Sequence, residues 1–155
     1  MSTSIGSRVL RGAIAGAAGT TALNAATYLD MAVRGRGTSS APQDTVEAMA
    51  DKAGVDVPGE GDTRDNRVAG LGPLLGLATG IGIGALLGAF GEDRRPGFAA
   101  TAALATLGAM AGSDAPMAAL GVTDPRTWSA GSWASDAVPH AVYGAVTALA
   151  LDLLD

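Results

Sequence analysis

Asp136, His140, Gly144, Ala148 and Asp152 recur at every fourth position near the C-terminus of this chain. Residues four apart are neighbours on a helix, so Asp136 and His140 form an acid–imidazole pair there. Tyr143 and Thr147 stand further along the same segment and extend a polar face. Histidine has an ordinary pKa near neutrality, so this line is a candidate site for a proton or a small polar ligand. A blander reading competes and is preferred. Asp136 then meets water in the first turn of a helix, with Pro139 close behind, and His140 anchors the helix at an interface. A second polar group, Asn24, Tyr28 and Asp30, closes the first apolar stretch. Asn24 continues a four-residue line through Gly12, Gly16 and Thr20 to Tyr28. It is expected as packing glue, since an Asn bonded across helices in lipid is worth about 1 kcal/mol.

Other chemistries lack their residues. The chain has no Cys, which removes disulfides, thiolate nucleophiles and Cys-based metal sites. It has a single His, so no two-His metal spacing exists. No cofactor is implied. Gly80, Gly82 and Gly84 superficially suggest a dinucleotide loop, but they lie inside an apolar run without a βαβ context. No P-loop and no Gly-x-Ser-x-Gly elbow occurs. With no nucleophile–base set, the chain is expected not to be an enzyme. Its net charge of −5 and lack of a basic stripe argue against nucleic acid as a partner.

The elements that must position these residues read as membrane helices in a single domain, 1–155. Gly72, Gly76, Gly80, Gly84 and Gly88 form a ladder of four-residue steps, and Val68–Phe90 carries no charge. A bilayer crossing needs about 20 apolar residues, and small-residue faces let helices approach closely in lipid. Further spans are expected at about 9–33, 97–120 and 135–154, besides 68–90. The third is expected to kink or end near Gly112, because Ser113-Asp-Ala-Pro116 interrupts it. A cleaved signal peptide rivals the first span, but the stretch is long and lacks a convincing cleavage site.

The polar loop 34–67 holds Asp44, Glu47, Asp51, Asp56, Glu60, Asp62 and Asp65. Within it, Gln43–Ala53 reads as a short amphipathic helix with Val46, Met49, Ala50 and Ala53 on one face. Gly91–Pro96 reads as a tight charged turn, and Trp128 and Trp133 mark one membrane surface. Four spans place both termini on one side. Arg8, Arg11, Arg94 and Arg95 favour the cytoplasm there, although Arg34, Arg36, Arg64, Arg67 and Arg126 stand opposite. The expected fold class is therefore all-α, a transmembrane bundle of four glycine/alanine-rich helices.

Spans two and four echo one another: Gly76 and Thr79 align with Gly144 and Thr147. The echo reads either as two duplicated hairpins or as shared composition. Val138-Pro-His-Ala-Val-Tyr-Gly-Ala-Val-Thr147, with the Gly-x-x-x-Gly second span, resembles small actinobacterial integral membrane proteins and, more distantly, the YagU-like inner-membrane family. The resemblance implies a four-helix bundle in a bacterial cytoplasmic membrane and no particular activity. The expected role is an accessory or scaffolding subunit that self-associates or joins a larger membrane complex, helix-packing through Gly72, Gly76, Gly80, Gly84, Gly88, Gly12, Gly16 and Gly144. The alternative is a small proton-linked transporter or channel using Asp136 and His140. A soluble helical protein is a weaker third reading, given a mean hydropathy of only +0.28.

Overall fold

The computed structural model describes residues 4–91 and 94–154. It is all-α among those residues: α1 (Ile5–Arg34), α2 (Ala41–Ala53), α3 (Asp62–Ala89), α4 (Phe98–Ala119) and α5 (Ala130–Leu154). The long helices extend past the apolar runs into polar sequence, because Asp62 and Asp65 suit a helix N-terminus and need no apolar neighbours. Helix ends follow local chemistry. The Ser4 hydroxyl caps α1 by accepting the Ser7 N–H at 3.3 Å. Gly54 (φ 65°) and Gly121 (φ 75°) end α2 and α4 in the left-handed conformation. Beyond α4, Val122 N–H bonds Met117 O at 2.9 Å and Gly121 N–H bonds Ala118 O at 3.1 Å. That pair of bonds is the Schellman stop.

Of the kink or end expected near Gly112, the end does not occur: α4 continues through Pro116 to Ala119. Pro116 has no N–H for the Gly112 carbonyl. The Ser113 hydroxyl donates to Ala109 O and Met110 O, each at 3.1 Å, in the turn before that carbonyl. Pro73 and Pro139 likewise lie inside α3 and α5. The turn expected at Gly91–Pro96 includes Glu92 and Asp93, which lie outside the described residues.

The four long helices close a ring, α1–α3–α4–α5 and back to α1. Gly12 sits against Gly84 and Gly88, and Gly16 against Gly80 and Gly84, so α1 and α3 run antiparallel. On the other side of α1, Gly19 meets Tyr143 and Thr147, while Arg34 bonds the Ser135 hydroxyl at 2.7 Å. Gly144 sits on Ala102 and Thr106 of α4, and Gly108 and Gly112 of α4 face Ile83 and Thr79 of α3. The chain termini therefore share one end of the bundle. Arg8, Arg94 and Arg95 lie at that end, and the Arg8 side chain packs on Gly91.

At the opposite end, α2 packs on α3, where Pro42 covers Gly72. An Arg64–Glu47 ion pair at 2.6 Å joins the two helices. Its half-exposed position leaves it screened by solvent, so it contributes little to stability. The face of α2 differs from the expected one. Thr45 is buried, whereas Met49 is 46% exposed and Ala53 is exposed.

The core consists of small and hydroxylic residues. Ala15, Ala105, Ala109, Ala148, Thr20, Thr101 and Thr147 are buried, together with Leu87, Leu151 and Tyr143. The larger aliphatics mostly point outward, among them Leu10, Leu74, Leu86, Leu107 and Leu149.

These contacts separate the glycines by consequence. A Cβ on Gly84 would lie 2.5 Å from Gly16 Cα, backbone against backbone. Gly84→Leu should cost about 3 kcal/mol or more by overpacking. A Cβ on Gly76 meets nothing within 4 Å. Gly76→Ala should instead stabilise by up to about 1 kcal/mol through helix propensity. Thermal unfolding of the purified variants in mild detergent checks both signs.

Candidate functional site

The predicted polar residues divide into two places in the bundle and one on its outside. The first is an interior node at mid-height. Tyr143 is 1% exposed, and its hydroxyl donates to Gly80 O at 2.7 Å, linking α5 to α3 across the bundle. Its ring fits against Gly19 and Gly80, where a side chain would collide with it. The Thr20 hydroxyl also packs on Gly80 and bonds Gly16 O at 2.8 Å. Thr147 is fully buried beside Gly19, and its Oγ1 has no conventional hydrogen-bond partner among the described residues. The Cα–H of Gly19 points toward that oxygen, a geometry suited to a weak C–H···O contact. The node is closed on every side and serves as packing.

The second place is the contact of α4 with α5, nearer the α2 end. His140 Nδ1 lies 2.9 Å from Asp136 O and 3.3 Å from Asp136 Oδ1. Both partners are acceptors, so Nδ1 carries the proton and Nε2 is the nitrogen left to titrate. The side chains are 13% and 18% exposed, which is more enclosed than an aqueous first turn. Asp136 Oδ2 is buried and finds no hydrogen-bond partner among the described residues. Asp114 of α4 lies within electrostatic reach of both residues, and the Ser113 hydroxyl holds its Oδ1 at 3.2 Å. Gly144, seated on α4, provides the register that brings Asp114 beside this pair. Two carboxylates and one imidazole can share a proton, but among the described residues no group of three such side chains is arranged to hold a metal ion.

The remaining residues lie apart. Asp30 pairs with Arg34 at 3.3 Å and with Arg36 at the end of α1. Asn24 is exposed on α1 and makes no hydrogen bond among the described residues, so it is not glue between the helices of this bundle. Of the ladder, Gly80, Gly84 and Gly88 face α1, Gly72 faces α2, and Gly76 faces outward. Gly80→Leu would therefore report on folding rather than on assembly. Trp128 and Trp133 meet edge to face with centroids 5.0 Å apart. Beside them the Arg126 side chain and backbone N–H both bond Asp124, holding its carboxyl below the usual carboxylate range. A depressed carboxyl stabilises above its unfolded pKa, so this cap is present at neutral pH and is lost as pH falls.

An open groove of about 420 Å³ along α3 is lined by Val9, Ala78, Gly82, Ile83 and Leu86. It is apolar and brings no convergent polar groups together. Tyr143→Phe should cost about 1 kcal/mol, the net worth of one neutral hydrogen bond, and leave the helices assembled. Unfolding midpoints of the two proteins measure that difference. Compared with known proteins, the chain matches no family model, no curated protein and no solved structure.

Proposed function

We propose that the whole four-helix body is membrane-embedded, in a bacterial cytoplasmic membrane with both termini cytoplasmic. Among the described residues two helices, Asp62–Ala89 and Ala130–Leu154, are long and apolar enough to cross a membrane. In this reading the chain is a non-enzymatic accessory or scaffolding subunit. The observation that carries it is the inverted distribution of residue types. Outward positions of α3 beyond Val68 are Ala69, Gly70, Leu71, Pro73, Leu74, Gly76, Leu77, Ala78 and Leu86, while Thr20, Thr147 and Tyr143 are buried. The exposed positions of α4 and α5 are Ala, Leu, Val, Phe and Pro from Phe98 to Ala119 and from Val138 to Leu149. Such a belt is unfavourable in water and at home in lipid, where close packing of small residues holds helices together. Arg8, Arg11, Arg94 and Arg95 at the terminal end are nearly balanced by Arg34, Arg36, Arg64, Arg67 and Arg126 opposite, so arginine placement lends the orientation little weight.

Alkaline carbonate extraction tests the membrane reading. Retention in the pellet is expected, and release into the supernatant would overturn it. A larger species on a native gel, with a defined stoichiometry, is expected for the scaffolding role.

The enclosed His140–Asp136–Asp114 cluster favours a second reading, a proton-linked transporter or channel. Intramembrane ionisable groups are costly and often mark a pathway. His140→Ala should then abolish pH-dependent flux in reconstituted vesicles. Flux that survives the change would remove His140 from the mechanism.

A further inference from the structure

The outer face of α1 differs from that of every other long helix. Leu10, Ile14, Ala17, Thr21, Asn24, Tyr28 and Met31 follow alternating steps of four and three residues. That is the spacing of a supercoiled helix seam, which keeps one stripe aimed at a partner over many turns. No helix of this chain covers the stripe: α1 packs on α3 and α5, and α2 lies on α3 and α4. Leu10 is 62% and Tyr28 63% exposed, and Thr21 and Asn24 are exposed between them.

Asn24 is the residue that needs explaining. It stands one turn beyond Thr20, which is level with the central node at Gly80, and about 15 Å along the helix from Arg34. In the membrane reading that is hydrocarbon depth. Thr21 satisfies its hydroxyl on Ala17 O at 2.9 Å, but the Asn24 amide has no partner among the described residues. An amide left bare in hydrocarbon is costly. The facing stretches of α3, α4 and α5 are apolar and give lipid nothing to avoid.

We infer that the α1 stripe is a parallel seam for a second copy of this chain, with Asn24 meeting its own counterpart across a two-fold axis. The amide both donates and accepts, so it is self-complementary when two identical helices meet in register. Copies inserted in one membrane share an orientation, which puts Asn24 opposite Asn24 at the same depth. A single polar residue in an apolar seam fixes the register and number of helices. Ala17 and Thr21, one and two turns before it, are small enough to let the backbones close in. This inference rests on the membrane reading above and deepens its self-association.

The chain lacks Cys, so single substitutions report contacts without background. Ala17→Cys, Thr21→Cys and Tyr28→Cys, expressed in membranes and oxidised, should each give a disulfide-linked dimer. Leu107→Cys on α4 and Leu149→Cys on α5 should not. Asn24→Leu should weaken dimerisation about fivefold in a detergent dilution series, with Asn24→Gln restoring it. Absence of α1 crosslinks, equal crosslinking from α4 or α5, products of a mass other than the dimer, or an Asn24→Leu variant that associates unchanged would each overturn the seam. Carbonate extraction of the same membranes separates the two levels. Protein retained but not crosslinked defeats the seam alone, whereas protein released defeats the membrane reading and the seam with it.

Discussion

The bundle depends on one contact, the approach of the α1 backbone to the α3 backbone through Gly12 and Gly16 on one side and Gly80, Gly84 and Gly88 on the other. Nothing larger than hydrogen fits between them. This closeness sets the rest of the interior. With α1 drawn against α3, its Gly19 face lies where α5 can pack, and Tyr143 then reaches Gly80 O directly. The tyrosine bridges helices that otherwise barely touch, and it closes the ring that α4 completes through Gly108, Gly112 and Gly144. Each helical glycine sacrifices up to about 1 kcal/mol of propensity relative to alanine. The close contacts offset that loss with dispersion and C–H···O interactions along the whole crossing.

Those terms identify the solvent the fold suits. In water, stability comes mainly from removing aliphatic surface, and this chain leaves Leu71, Leu74, Leu86, Leu104, Leu107 and Leu153 outside. Its interior of alanine, glycine and threonine would bury little apolar area for so many ordered residues. In lipid the same allocation is favourable. There the exposed leucines would meet acyl chains, and the hydroxyls of buried Thr20 and half-buried Thr106 satisfy themselves on the preceding helical turn.

Helix existence and the small-residue character of the contacts were legible in the sequence; the facing of individual rungs was not. A step of four residues advances a straight helix by about 400°, so a line at that spacing drifts by about 40° per step. Over the five rungs of α3 the drift reaches about 160°. Gly72 therefore meets α2, Gly76 faces outward, and Gly80, Gly84 and Gly88 meet α1. The same drift divides the line in α1. Gly12, Gly16 and Thr20 are buried, while Asn24 and Tyr28 have turned out to the surface. At the polar pair, Asp136 and His140 were readable as neighbours because they share a helix. The approach of Asp114 to them depends on the register of α4 against α5, which no local spacing encodes. Helix boundaries were underestimated for a different reason: the hydropathy of a segment reports where lipid would lie, and backbone hydrogen bonding continues past it.

Close packing also constrains where activity can reside. A bundle held by backbone contact leaves no internal chamber at the node, where Tyr143, Thr20 and Gly19 occupy the space between the helices. The polar cluster of Asp114, Asp136 and His140 is enclosed between α4 and α5 toward one end, so anything it exchanges must reach it from that end. The outer surface is what such a fold presents to other molecules. Over most of its circumference that surface is aliphatic and undifferentiated, fit for lipid. Along α1 it carries hydrogen-bonding groups at seam spacing. A chain under no constraint on that face would tend to the alanine and leucine found on α4, since each polar group there carries a solvation cost. In the membrane reading, that cost makes the asymmetry between α1 and its neighbours the feature an interaction with another helix would explain.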